Sequence, residues 1–156
     1  MNAVADLLDC LSAEADEVGH FIALLEAEAA ALTESDSTDD LIDTTEAKQV
    51  SANRLGELSR RRHGLAVQLG GSGGDYAATQ QVAERHPDVA EAWEELLALA
   101  EHARNLNQRN GVLIDTHLRH TQMSLDMLRS VAGMGDVYDA SGRAQPINAG
   151  KTIATG

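Results

Sequence analysis

The chain has 156 residues, a formal net charge of −13 at pH 7 and a single cysteine. This length corresponds to one domain with a moderate core. With one Phe, one Trp and two Tyr, the core must be built from Leu, Ala, Val and Ile. Residues 1–47 hold 13 acidic side chains and no Lys or Arg. Such an acidic chain is not expected to bind nucleic acid or an anionic membrane surface.

The cysteine content and the N-terminal sequence indicate the compartment. A single cysteine, Cys10, cannot form an internal disulfide, which is typical of a reducing environment. The first residues have neither the basic region nor the continuous apolar run of a signal peptide, and no stretch is long enough to span a membrane. We therefore expect a cytoplasmic protein without membrane insertion.

The first predicted helix spans residues 3–33 and follows a coiled-coil repeat. Its apolar residues step alternately by four and by three, which is the spacing of a coiled-coil seam. The seam residues are Val4, Leu8, Leu11, Ala15, Val18, Ile22, Leu25, Ala29 and Leu32. A helix of this length is about 45 Å long, which favours an extended hairpin over a globule. Its acidic residues are expected to form a solvated face.

The second predicted helix covers residues 39–69, after a chain reversal in the Thr-, Ser- and Asp-rich segment 33–40. Its seam includes Lys48 and Arg62, whose long side chains are expected to reach carboxylates of the first helix. The basic run at residues 60–62 has two interpretations. It is either a binding patch or the solvated end of a helix, where positive charge offsets the helix dipole.

Glycine and proline mark the remaining boundaries. GGSGG at residues 70–74 predicts a flexible hinge, and the segment after it is long enough for a short helix. Pro87 suits the first turn of a third long helix over residues 87–131. Residues 132–156 lack a sustained period and predict a mobile tail. The expected fold class is all-α: an extended antiparallel, coiled-coil-like hairpin, a third long helix and a flexible C-terminal tail, with residues 1–131 as the helical domain.

The third helix carries more apolar surface after residue 111 than before it. On a wheel of about 100° per residue, a charged strip separates two apolar faces. The first face continues the upstream stripe and consists of Leu113, Ile114, Leu118, Leu125, Leu128 and Val131. The second face consists of Val112, Met123 and Met127. One layer of packing inside the chain covers a single stripe, so the second face predicts a binding partner.

Polar residues on this helix have competing interpretations. Asn107 and Asn110 lie on its inner side, where a buried Asn requires hydrogen-bond partners. They either fix the register of the helix, as a polar seam residue does in a coiled coil, or recognise a partner. His117 and His120 share a face, but the di-iron bundles require carboxylates that the facing seams lack, so partly buried structural histidines are expected. No motif predicts catalysis, a metal or another cofactor.

The sequence LNQRNGVLI at residues 106–114 resembles the signature of the FlgN family of flagellar type III export chaperones, with Trp93 upstream at a matching place. The segment VYDASG at residues 137–142 resembles the family's tyrosine-containing turn, and Gly150-Lys151 resembles its basic end. The resemblance is specific over the last third of the chain. The first two helices are similar in pattern only.

The resemblance implies a cytoplasmic, ATP-independent chaperone. Such a protein binds the terminal helices of unassembled hook–filament junction proteins, prevents their premature association and delivers them to the export apparatus. It implies that Tyr138 docks at the export gate. Together with the two faces, it makes the following residues candidates for substrate binding: Asn107, Asn110, Val112, Leu113, Ile114, Leu118, Met123, Leu125 and Met127.

A second function class fits the same apolar surface. A structural coiled-coil protein would use its third helix to form homo-oligomers rather than to bind a substrate. The free protein is either a monomer or a weak homodimer, and the sequence favours neither state.

Overall fold

The computed structural model describes residues 2–34 and 38–131, which fold into α-helices. Helix α1 spans Ala3–Glu34 and helix α2 spans Thr38–Gln68. The short helix α3 spans Asp75–Ala83, and the long helix α4 spans Pro87–Val131. Since these described ranges contain helices and turns but no strand, the predicted all-α fold class is confirmed.

Helices α1 and α2 form an antiparallel hairpin that is joined by ion pairs. Glu14 of α1 pairs with Arg62 of α2 at 2.7 Å, and Glu28 pairs with Lys48 at 3.0 Å. The position along α2 falls as the position along α1 rises, which is the order of an antiparallel pair. These contacts confirm that Lys48 and Arg62 reach carboxylates of the first helix.

The buried line of α1 includes two acidic residues. Its buried positions are Leu7, Cys10, Leu11, Glu14, Val18, Leu25 and Glu28. The expectation that the acids of this helix form a solvated face is therefore wrong for Glu14 and Glu28. The physical reason is that α2 brings a base to each of them, and a paired carboxylate tolerates burial that an isolated one does not.

The upstream part of α4 supplies the other large side chains of the core. Val89, Trp93 and Leu96 are buried, and they pack in one hydrophobic cluster with residues of α1, α2 and α3. The Trp93 Nε1–H group donates a hydrogen bond of 2.9 Å to Oε1 of Gln80 on α3. The apolar stripe that the sequence predicts in this part of α4 is thus part of the core.

The glycine-rich segment at residues 70–74 forms a hydrogen-bonded corner. Gly70 has a φ of +85°, and a Cβ added at Gly71 would collide with the backbone oxygen of Ala78, so both positions require glycine. Ser72 donates from its backbone nitrogen to Oε1 of Gln81 at 3.1 Å and accepts from Nε2 at 3.2 Å. These contacts define a hydrogen-bonded turn between α2 and α3, at the segment for which the glycine content predicts a hinge.

Two structural units divide the chain within α4. The first unit covers residues 1–114, and the second covers residues 115–156, of which 115–131 are described. The described helices include none that is long and apolar enough to cross a membrane. The predicted tail at 132–156, with Tyr138 and Gly150-Lys151, lies outside the described residues.

Candidate functional site

The described part of the second unit, residues 115–131, is a helical segment whose residues are all exposed. We call it the distal segment. Its leucine face consists of Leu118, Leu125 and Leu128, which are 62%, 44% and 65% exposed. Its methionine face consists of Met123 and Met127, which are 72% and 69% exposed. Large apolar side chains with this exposure form a patch of the kind that marks interaction surfaces.

A charged strip between the two faces neutralises itself along the helix. Arg119 Nη2 lies 3.1 Å from Oδ2 of Asp115, and Arg129 Nη1 lies 3.7 Å from Oδ1 of Asp126. Gln122 donates a hydrogen bond of 2.9 Å to Asp126. Exposed pairs at these spacings add little stability. Because the two Asp and two Arg residues of the strip cancel in charge, the strip presents no net formal charge to a partner.

The structure corrects the sequence prediction for the first apolar face. That face was expected to continue the core stripe, but it leaves the core near the unit boundary. Leu113 is half-buried, Ile114 is 38% exposed, and the leucine face beyond them is exposed. Val112, on the second predicted face, is 68% exposed. Both predicted faces are therefore accessible, and both hold residues that the sequence makes candidates for substrate binding.

His117 and His120 are exposed, so the prediction of partly buried histidines is wrong. The prediction assumed that the first apolar face beside them is covered, and in the structure that face is open. Among residues 2–34 and 38–131, no group of three or more His, Cys, Asp or Glu side chains is placed to hold a metal ion.

The two asparagines of the family-like signature have different environments. Asn110 is 2% exposed, and its Nδ2 donates to the backbone oxygen of Leu25 at 2.7 Å and to Oε1 of Glu28 at 3.0 Å. Asn107 is exposed, and its Oδ1 accepts from Lys48 at 3.5 Å. The contacts of Asn110 favour the interpretation that it fixes helix register, because its amide is used inside the first unit.

Glu28 is the centre of this buried polar cluster. Its two carboxylate oxygens accept from Lys48 Nζ at 3.1 and 3.0 Å, and one of them also accepts from Asn110. A carboxylate so deeply buried requires its charge and its lone pairs to be satisfied. Sequence reasoning missed Glu28, although the prediction that Lys48 meets a carboxylate was the signal that could have located it.

Arg62 holds a second buried cluster, which excludes it from a surface patch. Its guanidinium pairs with Glu14 and Asp75 and donates to Oγ1 of Thr79 at 2.8 Å. Its Cζ lies 4.8 Å from the centroid of the Trp93 ring, a cation–π distance. Both interpretations of the run at residues 60–62 are therefore wrong for Arg62, which joins helices in the interior, while its two neighbours in the run are exposed.

The polar groups near α3 do not form a nucleophile and base. Ser59 Oγ donates to Oδ2 of Asp75 at 2.5 Å, and His63 Nδ1 lies 3.9 Å from Oδ1 of the same carboxylate. The serine proton is thus directed to the carboxylate, whereas an activated serine donates to the imidazole.

Burial, and after it the negative charge of Glu14, raises the pKa of the Cys10 thiol, which keeps it protonated at pH 7.

The helices and the exposed distal segment define an all-α protein that carries an accessible, two-sided apolar helix surface. A family model described as FlgN protein matches residues 1–146, so the chain belongs to the FlgN family. No solved structure gives a significant match to it.

Curated relatives agree with that membership. The flagella synthesis protein FlgN of Proteus mirabilis is 30% identical over 114 residues, which cover 72% of each chain. The protein of the same name from Salmonella typhimurium is 26% identical over 87 residues, covering 52% of this chain and 59% of the relative. The one from Yersinia enterocolitica is 36% identical over 59 residues, or 38% of this chain and 40% of the relative.

Proposed function

We propose that this protein is a cytoplasmic chaperone of flagellar synthesis. It binds the terminal helices of unassembled hook–filament junction proteins, prevents their premature association and delivers them to the export apparatus. Membership of a family whose curated relatives are named flagella synthesis proteins supports the role in the flagellum. The exposed apolar surface of the distal segment carries the binding part of the proposal.

The chemistry of that surface suits a helical substrate. An amphipathic helix can pack its apolar stripe on the leucine face, since Leu118, Leu125 and Leu128 lie on one side of the helix. The methionine face is softer, because the unbranched thioether side chain can repack against more than one partner. Burial of each large side chain contributes up to about 1.5–3 kcal/mol before association and ordering costs are subtracted.

The two clusters of buried charge support a separation between residues that stabilise the fold and residues that bind substrate. The contacts of Arg62 and Glu28 are made inside the first unit, so these polar side chains stabilise the fold and are not free to contact a substrate. Asn110 belongs to this structural group. We therefore place substrate binding on the exposed side chains of α4 and assign the buried asparagine a supporting role.

Light scattering across a concentration series, with and without the C-terminal segment of a junction protein, tests this function. The expected result is a defined complex that forms only when the segment is present. A segment of the same composition with its apolar spacing scrambled is the control and should not bind. A constant, tight homo-oligomer that ignores the segment would instead support the structural coiled-coil alternative.

Delivery is tested separately from binding. We propose that Tyr138 docks at the export gate, so Tyr138→Ala should retain substrate binding in vitro and reduce export of junction proteins in cells. Tyr138→Phe, which keeps the ring, separates the contribution of the hydroxyl from that of the aromatic surface. Loss of substrate binding in Tyr138→Ala would show that the residue belongs to the binding surface instead.

A further inference from the structure

The first unit contains a groove between α1 and the upstream part of α4. The groove has a volume of about 380 Å³, and its apolar residues are Leu8, Leu11 and Ala15 of α1 and Ala92 of α4. Leu11 is fully buried, and the other three are half-buried. These residues form the floor of the groove, because the polar residues that line it are exposed.

The rim of this groove, which we call the acidic groove, carries negative charge on both walls. Asp9 and Asp16 lie on the α1 wall, and Glu95 lies on the α4 wall. Among residues 2–34 and 38–131, no Lys, Arg or His forms an ion pair with any of these three carboxylates. Helix α1 has no Lys or Arg at all, and residues 87–103 of α4 have none either. The described structure thus leaves the rim without a counter-charge.

The positions of the three acids match a helix that lies along α1. Asp9 and Asp16 are seven residues apart, so they lie on one side of α1 at a separation of about 10.5 Å along its axis. Two bases that are seven positions apart on a partner helix have the same separation. Glu95 belongs to the other wall, where it would meet a base on the opposite edge of the partner's apolar stripe.

We propose that the acidic groove binds a basic amphipathic helix of another protein, with the apolar stripe of that helix on the floor and Lys or Arg along both edges of the stripe. Charge complementarity selects this occupant, since three unpaired carboxylates attract a basic partner and repel an acidic one. A second copy of this chain is disfavoured, because each copy carries a net charge of −13. The inference goes beyond the proposed function, because it concerns the first unit and does not involve the distal segment.

A designed peptide tests the chemistry of the occupant on the full chain. The probe is a fluorescently labelled helical peptide of Leu, Ala and Lys, about 18 residues or five turns long, whose Lys residues flank an apolar stripe at seven-residue intervals. One control peptide has Glu in place of each Lys, and another has the same composition with its spacing scrambled. Fluorescence anisotropy measures Kd, and only the first peptide should bind. Failure of that peptide to bind would overturn the inference.

Variants of the chain distinguish the groove from general attraction to an acidic protein. The groove variant Asp9→Asn/Asp16→Asn/Glu95→Gln should raise Kd for the basic peptide about tenfold or more, or about 1.4 kcal/mol. The matched control neutralises three exposed acids of α2 and should raise Kd less than about threefold. It is Asp39→Asn/Glu46→Gln/Glu57→Gln. Equal losses in the two variants would mean that net charge alone attracts the peptide, and would overturn the inference.

The position of the bound peptide is measured directly by NMR of the isotopically labelled chain. Amide chemical shifts should change in residues 8–16 and 92–95, whereas changes confined to residues 115–131 would overturn the inference. Light scattering of the free chain tests the competing occupant. Self-association that disappears in the groove variant would show that a second copy fills the groove, which would also overturn it. Since junction-protein segments are not used here, failure of this inference leaves the proposed function untouched.

Discussion

The two parts of helix α4, on either side of the unit boundary, carry similar apolar residues, which are buried upstream and exposed downstream. Trp93 and Leu96 upstream are buried in the core, whereas Leu118 and Met123 downstream are 62% and 72% exposed. Periodicity shows which residues share a face of a helix, and it does not show whether anything covers that face. Whether an apolar stripe of this helix is buried or exposed therefore depends on whether other helices pack against it.

The charged residues of the two units also differ in whether they are buried and in where their partners lie. In the first unit, Arg62 and Glu28 are buried, and their partners come from other helices. In the distal segment, each ion pair joins neighbours on the same exposed helix. Buried pairs are costly to break, whereas exposed pairs of this kind contribute little. The comparison predicts where substitutions change stability and where they change only binding.

The largest stability difference is expected between two identical substitutions on α4. Leu96→Glu places a carboxylate at a site that is 3% exposed, and should reduce the free energy of unfolding by about 4 kcal/mol or more, or prevent folding. Leu118→Glu makes the same change on the exposed leucine face and should alter it by less than about 0.5 kcal/mol. Urea unfolding followed by circular dichroism measures both. Equal losses would show that the two parts of the helix do not differ in cover.

The next largest effect concerns the buried ion pair between α1 and α2. Arg62→Met leaves the Glu14 carboxylate buried without its partner and should cost about 3–5 kcal/mol. Replacing both residues, as Arg62→Met/Glu14→Leu, should recover much of that loss, because the buried carboxylate is removed with its partner and the other carboxylate that Arg62 contacts, Asp75, is 48% exposed. Arg61→Met, at the exposed neighbouring position, is the control and should have little effect. A double variant as unstable as the single one would indicate that other contacts of Arg62 dominate.

A smaller effect is expected at the buried asparagine. Asn110→Leu removes the hydrogen bonds to Leu25 and Glu28 and should cost about 1–3 kcal/mol, since both acceptors stay buried. Asn107→Leu is the matched control, because the same change occurs on the same helix at an exposed position. Thermal unfolding of the two variants ranks them. If Asn107→Leu lost more stability than Asn110→Leu, the assignment of the register role to Asn110 would be contradicted.

Much of the fold can be predicted from the apolar periodicity of the sequence and from the residues that begin or end helices. The apolar repeat predicts the first helix, Pro87 marks the start of the last, and the seam bases Lys48 and Arg62 indicate the interhelical ion pairs. These features are local or nearly local, so one sequence contains enough information to place them. The glycine-rich corner is harder to interpret, because the hydrogen bonds between Ser72 and Gln81 depend on how α3 packs back.

The candidate site was less predictable for the same physical reason. The helical wheel shows which residues share the leucine face and which share the methionine face, but it does not show how far along the helix other helices cover the first face. It also made Asn110 a candidate recognition residue, although its amide is satisfied by groups 82 and 85 positions earlier in the chain. Contacts over such separations arise from the packing of helices, which spacing within one helix does not encode.

The most direct test of this account measures substrate affinity and stability together in one variant. Met123→Glu/Met127→Glu places charges on the methionine face and should raise the Kd for a junction-protein segment at least tenfold, or about 1.4 kcal/mol. Its Tm should stay close to that of the unmodified protein, because both residues are exposed. Gln122→Glu adds a charge to the strip and should change neither quantity appreciably. A double variant that unfolds as readily as Leu96→Glu, or that binds the segment with unchanged affinity, would contradict the assignment of the distal segment as the binding surface.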